Sequence, residues 1–245
     1  MTKNKVYKNP PLVEAVFELF YTTTNWSPVI PGVFYNEIKE SFPNISKSQT
    51  GFGILLDNQG IRLGGGNSEM TQYKSQLNDT LVQLTSNLFT VNKLPKYQDW
   101  DSFKKTIHYS IDALKRSLPD IKITRIGLKF INKINIGSEH SYENFKRIFK
   151  VYPIIPSTFG NNLSSIQMNL ESPVIPDTEI LAVSFTSLRK EPNFTTPVIF
   201  QLYYTRVKEA SELVIEDWLE NAHANLHETF INGLTESCIK SFDNV

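Results

Sequence analysis

The chain has 245 residues, long enough for one large domain or two small ones, and its 25 Lys+Arg balance its 25 Asp+Glu. A formal net charge of zero supplies no global field for holding nucleic acid, and a single cysteine, Cys238, excludes an intrachain disulfide and a thiolate cluster. No run approaches the roughly 18 apolar residues of a membrane helix, and Glu14 interrupts the apolar stretch after the basic start, so no signal peptide is read; a cytoplasmic protein with no membrane partner is expected.

The Pro10-Pro11 pair fixes an extended backbone before the first strand. Across Leu12–Thr22 the side chains of Val13, Ala15, Phe17, Leu19 and Tyr21 alternate with Glu14, Val16, Glu18 and Phe20, the period of a strand. A loop over Asn25–Gly32 leads to a short helix over Val33–Phe42, with Phe34, Ile38 and Phe42 on one face and Pro43 as its stop. Gly51–Leu63 reads as a hairpin turning at Asp57–Gly60. The Gly64-Gly65-Gly66 run is read as a strand connection, because a phosphate loop needs a helix start and a Lys-Ser/Thr behind it.

Tyr73–Gln76 and Thr80–Leu94 read as extended, and a strong helix follows over Trp100–Leu118. Its Trp100, Phe103, Ile107, Ile111, Leu114 and Leu118 form one stripe, with Asp99 as cap and Lys115 and Arg116 in the last turn. The second half opens with a strand over Ile123–Ile136, then a short helix over Ser141–Lys150. Extended segments follow at Ser165–Leu170, Glu179–Leu188 and Pro197–Val207, and a long helix over Glu209–Phe242 carries a break at Gly233. Each half therefore runs strand, short helix, about three strands, long helix, and each long helix carries a Trp near its start, Trp100 and Trp218. The expected fold class is α+β: two fused repeats, 1–120 and 121–245, tightly associated, forming one extended or curved antiparallel sheet covered by helices.

Four runs, PPLVEAVFE (Pro10–Glu18), VQLT (Val82–Thr85), RIGLKFINKI (Arg125–Ile134) and Trp218-Leu219 through His223 and Phe230, lie along most of the chain. In these runs the chain resembles a sporadically distributed family of uncharacterised bacterial proteins of similar length. It departs from that pattern at Phe130 and Lys133, where the family has Tyr and Arg, which argues against a phosphate-binding arginine there. The resemblance implies no activity, cofactor or catalytic residue. The family's patchy distribution implies a mobile-element or defence-type setting.

Three constellations bear on chemistry. Glu14 and Glu18 share a face of the first strand, while Arg125, Lys129 and Lys133, with Asn132 in the same run, belong to the central strand. If equivalent strands of the repeats pair, opposite charges meet at the seam. They form either a binding groove or a structural ion-pair ladder, the latter contributing about 0.2–1 kcal/mol per exposed pair. Tyr203, Tyr204, Arg206 and Lys208 interleave aromatic and basic residues, as a surface stacking single-stranded nucleic acid does, though without an RNP-like glycine-aromatic signature. His223 and His227 stand at i, i+4 with Glu220 before them. Helical geometry turns His223 into the apolar arc, and Ala224 stands where a zincin needs Glu, so no metal and no cofactor are expected. Cys238 has no His-Asn companion pattern and no G-x-S-x-G elbow is present. The sequence thus points to a non-enzymatic binding or interaction protein whose partner is another protein or a ligand. Nucleic-acid binding or processing on the sheet face is the alternative.

Overall fold

The computed structural model describes residues 7–48, 54–57, 60–63, 69–95, 99–137, 139, 141–187, 197–207 and 214–243, with 54–57 and 60–63 described as backbone. In chain order the elements are β1 (Leu12–Thr22), α1 (Ile30–Ile38), β2 (Asn44–Ser48), β3 (Ile54–Asp57), β4 (Gly60–Leu63), β5 (Met70–Lys74), β6 (Thr80–Leu84), β7 (Leu88–Lys93) and α2 (Trp100–Ser117). They continue with β8 (Lys122–Asn135), α3 (Tyr142–Ile148), β9 (Gln167–Ile175), β10 (Glu179–Ser187), β11 (Pro197–Arg206), α4 (Ile215–Gly233) and α5 (Glu236–Ser241). Nine strands form one antiparallel sheet in the order β2-β5-β6-β7-β1-β8-β11-β10-β9, while β3 and β4 pair separately. The fold class is α+β.

The centre of the sheet is the antiparallel pair β1–β8, in which Phe17 faces Leu128 and Val16 faces Lys129. Moving outward from it, each side meets the strand that precedes a long helix (β7 or β11), then the two strands before that, in descending chain order. Alternation divides the residues cleanly. Tyr73, Val82, Val91, Phe17, Leu128 and Tyr204 follow one another across neighbouring strands and are buried on the helical side. Rings hold the helices there: Phe34 of α1 lies edge-on to Tyr73 and Phe89, Phe149 meets Phe185 and Phe200, and Phe230 of α4 stacks on Phe200.

Several boundaries differ from the sequence reading for identifiable reasons. Helix α1 starts at Ile30, because Pro31 suits a first helical turn that has no N–H partner to lose. The single extended run expected over Thr80–Leu94 is two strands. Thr85 folds the chain back: its Oγ1 accepts from Leu88 N at 2.9 Å and its own N–H donates to Leu88 O at 2.8 Å. Strand β9 runs on through Pro173 to Ile175, which an edge strand tolerates because its outer N–H groups need no ladder partner. Strand β2, polar apart from the half-exposed Ile45, carries no periodic signal in the sequence. The C-terminal helix does end at Gly233, and Thr235 caps α5; positions 209–213 of the expected helix, and the Gly64–Gly66 run, lie outside the described residues. Asp99 caps α2 as read, accepting from Ser102 N at 2.7 Å.

Two loops are pinned by one carboxylate. Asp120, after α2, accepts from Thr23 Oγ1 at 2.7 Å, Thr24 N at 2.8 Å and Thr24 Oγ1 at 2.9 Å. The Thr23 hydroxyl and the Thr24 N–H hold its carboxyl well below the ordinary carboxylate range. Because the folded value is depressed, the stabilisation is complete above the unfolded carboxylate pKa of about 4 and is lost as pH falls from there toward the folded value. Acid melts of wild type and Asp120→Asn should therefore converge at low pH and separate above about pH 4. A constant separation across that range would assign the contacts no role in acid stability. In the core, Phe230→Ala removes a ring stacked on both Phe200 and Phe242 and should cost about 3–5 kcal/mol. An unchanged melting temperature would contradict that packing.

Candidate functional site

The sheet face turned away from the helices is polar along its middle. Gln72, Gln83, Thr90, Glu18, Gly127 and Thr205 face one another strand by strand from β5 to β11. The neighbouring row carries Asn92, Val16, Lys129 and Tyr203. Where these rows cross the β1–β8 pair, four side chains from three strands form a cluster. Tyr203 donates to Glu18 Oε1 and accepts from Arg125 Nη2 at 2.6 Å, and Lys129 Nζ lies 3.5 Å from Glu18 Oε2. Arg125 Nε also donates to Thr205 Oγ1 at 3.2 Å.

Gly127 makes the cluster possible. A Cβ there would stand 2.7 Å from both Cε2 and OH of Tyr203 and 3.0 Å from Glu18 Cγ, so the ring can lie across the β8 backbone only where the side chain is hydrogen. The ring in turn is faced by cations. Lys129 Nζ is 4.9 Å and Arg125 Cζ 5.5 Å from its centroid, and Arg125 also lies 5.2 Å from the Phe20 ring. Burial, and then the Glu18 charge, push the Tyr203 hydroxyl upward from its usual pKa, so it stays a neutral donor to the carboxylate.

The ion pair is the loose member of this set. At 3.5 Å, Lys129–Glu18 exceeds the roughly 2.7–2.9 Å of a charge-assisted bond. The ammonium has three donors and, among the described residues, meets one carboxylate oxygen, so it retains donors for another acceptor. Both side chains are mostly buried, at 17% and 12% exposure. The group is therefore neither a flexible surface pair nor a sealed one. Alongside, Glu14 Oε1 accepts from Asn92 Nδ2 at 2.7 Å, and Thr90 is hydrogen-bonded to Gln83 and Asn92. The Nε2 atoms of Gln72 and Gln83 are buried without a hydrogen-bond partner among the described residues.

The other residues singled out in the sequence separate from this cluster. Lys133 shares the polar face but is exposed, opposite Ile199. Asn132 points the other way, buried on the helical side with its Nδ2 donating to Phe200 O at 3.1 Å. Tyr204 is also on the helical side and fully buried. Its hydroxyl donates to Glu179 Oε2 at 2.5 Å, Arg206 Nη1 donates to Glu179 Oε1 at 3.1 Å, and Asn221 Nδ2 donates to the Tyr204 hydroxyl at 3.2 Å. Tyr203 and Tyr204 thus do not share a surface, and Lys208 lies outside the described residues. On α4, Glu220 accepts from Trp100 Nε1 at 3.3 Å and is paired with Lys104, while His223 stacks flat on Trp100 with centroids 4.2 Å apart. Burial, and then the neighbouring His227, lower the His223 pKa to about 4, so it is a neutral packing ring near pH 7. Among the described residues no three His, Cys, Asp or Glu side chains come together to hold a metal, and no helix is long and apolar enough to cross a membrane.

Sequence reasoning missed Tyr203 as the partner of Glu18, the spacer Gly127, the strip Gln72–Gln83–Thr90–Asn92, and the buried Glu179. The strip had a signal: these polar residues alternate with Tyr73, Val82 and Val91. Compared with family models and with curated proteins, the chain matches none.

Gly127→Ala should cost about 1–3 kcal/mol, as overpacking does. Most of that loss should disappear when Tyr203→Ala supplies the background, because the clash is with that ring. Additive effects of the two substitutions would remove Gly127 from the cluster.

Proposed function

We infer that the chain is a non-enzymatic binding protein, formed by two fused repeats of one α+β unit, whose partner engages the polar face over the β1–β8 seam. The observation that carries this reading is the state of Lys129: mostly buried, held at 3.5 Å from Glu18, beside a tyrosine ring, with donors to spare. A purely structural ladder favours closer pairs, while a binding face keeps its charge available. What supports the duplication is the strand order. The outward sequences β7-β6-β5 and β11-β10-β9 flank β1 and β8 in the same way, and the long helix that follows carries a Trp in its first turn, Trp100 as the first residue of α2 and Trp218 as the fourth of α4. The mobile-element or defence-type setting that the family resemblance implies belongs to the same proposal, with a protein carrying carboxylate or carbonyl acceptors as partner.

Nucleic-acid binding has less support. Cations already face the Tyr203 ring, and buried Tyr204 has no free face for a base.

The test compares wild type with Lys129→Met. The full-length chain, immobilised, should retain a defined protein from cells of its source, and Lys129→Met should lose it without a fall in melting temperature. A structural pair gives the reverse: lower stability from an unpartnered Glu18, with partner retention intact. Salt-dependent binding of a labelled single-stranded oligonucleotide, lost in the same variant, would replace this reading with the nucleic-acid one. Turnover of a substrate abolished by a polar-face substitution would replace it with an enzyme.

A further inference from the structure

A cleft of about 410 Å³ lies on the helical side of the second half, between α4 and the strands β9 to β11, within the roughly 300–1,000 Å³ of small-molecule sites. One wall is apolar: Val151, Leu170, Val183 and Phe200, with Leu170 directly opposite Val183 in the sheet. The other wall is a stripe of α4, Asn225, Glu228, Thr229 and Asn232, at the i, i+3, i+4, i+7 spacing of one helix face. A helix laid on a sheet ordinarily turns apolar residues toward it. Here the stripe is polar, and collapse onto Val183 and Leu170 would bury the Glu228 carboxylate and the Asn232 amide without partners.

The long helix of the first half is packed differently. There α1 packs on α2, with Arg116 Nε 2.6 Å from Glu37 Oε2 and Tyr109 OH donating to Glu37 O. In the second half α3 packs on α5 and is tied to the end of α4 instead. Lys150 N donates to Gly233 O, Thr235 N to Ile148 O, and Thr235 Oγ1 to Arg147 O. One flank of α4, beside its buried Leu226 and Phe230, is thereby left bordering the cleft. At its end Gly233 closes the gap, since a Cβ there would come 3.0 Å from Phe200 Cζ.

The polar wall has its own chemistry. Asn225 Nδ2 donates to Asn221 O at 2.8 Å and Thr229 Oγ1 to Asn225 O at 2.7 Å, so these two are turned back onto the helix. Glu228 and Asn232 take no side-chain hydrogen bond or ion pair among the described residues. One exposed carboxylate and one exposed amide, with no protein partner among the described residues, thus overlook an apolar floor of Leu170 and Val183. We propose that this cleft binds a small organic amine, its apolar body on Leu170 and Val183 and its ammonium on the Glu228 carboxylate and the Asn232 side-chain carbonyl.

Phenethylamine is a suitable probe, titrated into the isotopically labelled full-length chain and followed by NMR. Saturable shifts are expected at the Leu170 and Val183 methyls and the Asn232 side-chain amide, with a dissociation constant on the order of 1 mM for so small a body. Glu228→Gln, at an exposed helix position that leaves the fold unchanged, should weaken binding about tenfold. 3-Phenylpropionate, with a similar body and the opposite charge, should produce no saturable shift. The proposal is overturned if phenethylamine causes no saturable shift, if the propionate binds as well, or if Glu228→Gln binds the amine unchanged. It is equally overturned if the cleft signals move with protein concentration instead of with amine, since a second copy of the chain then occupies the cleft.

Discussion

The sheet is continuous only because β1 pairs with β8. Every other ladder joins strands from the same half of the chain, β2 to β7 with β1 on one side and β9 to β11 with β8 on the other. Along this pair Ala15, Phe17 and Leu19 meet Phe130, Leu128 and Ile126, all buried on the helical side. The helices add a second joint above it, where Lys104 of α2 reaches Glu216 and Glu220 of α4 and Trp100 stacks on His223. The Lys104 contacts are partly solvated and individually weak; the apolar strand pair supplies the greater part of the connection.

The same pair creates the polar cluster on its reverse face. Strands buried on both faces ordinarily read as continuous apolar runs, but β1 and β8 alternate charge with hydrocarbon. Glu18, Arg125 and Lys129 therefore enter a partly buried environment, where each must find a partner. Tyr203 serves all three at once: its hydroxyl bridges Arg125 and Glu18, and its ring meets the Lys129 ammonium. Gly127 is the backbone condition for that arrangement. The proposed binding face and the stabilising network share the same atoms, and the 3.5 Å Lys129–Glu18 contact is the loosest among them.

Much of the architecture was legible because it rests on periodicity. The alternation in Leu12–Thr22 fixes which side chains of β1 meet the core, and the Trp100–Leu118 stripe fixes the buried face of α2. What escaped depended on single residues or on distant ones. The fold-back at Thr85 rests on one hydroxyl, and reading β6 and β7 as one run hid the alternation that brings Gln83, Thr90 and Asn92 to one face. For the site, the charges of β1 and β8 were legible as facing sets, but the tyrosine between them comes from β11. Its choice of Tyr203 over Tyr204 depends on strand parity, which neighbouring identical residues do not display. Asn132 shows the converse. It stands in the same run as Lys129 and Lys133, yet the odd-numbered pair faces one side and Asn132 the other.

The position of β1 also governs the order in which the protein can be assembled. Both of its neighbours, β7 and β8, are distant in the chain, so no local hairpin protects it. During synthesis β1 waits for β7 on one edge, and its other edge stays unpaired until β8 emerges with the second half. Loop closure must precede the contacts that reward it, which slows folding and leaves an apolar edge exposed in the interim. Glu14 and Glu18, held within that edge, make its self-association between nascent chains unfavourable by placing like charges in an otherwise sticky strand. The charges at the centre of the finished sheet are thus also the solubility device of the unfinished one.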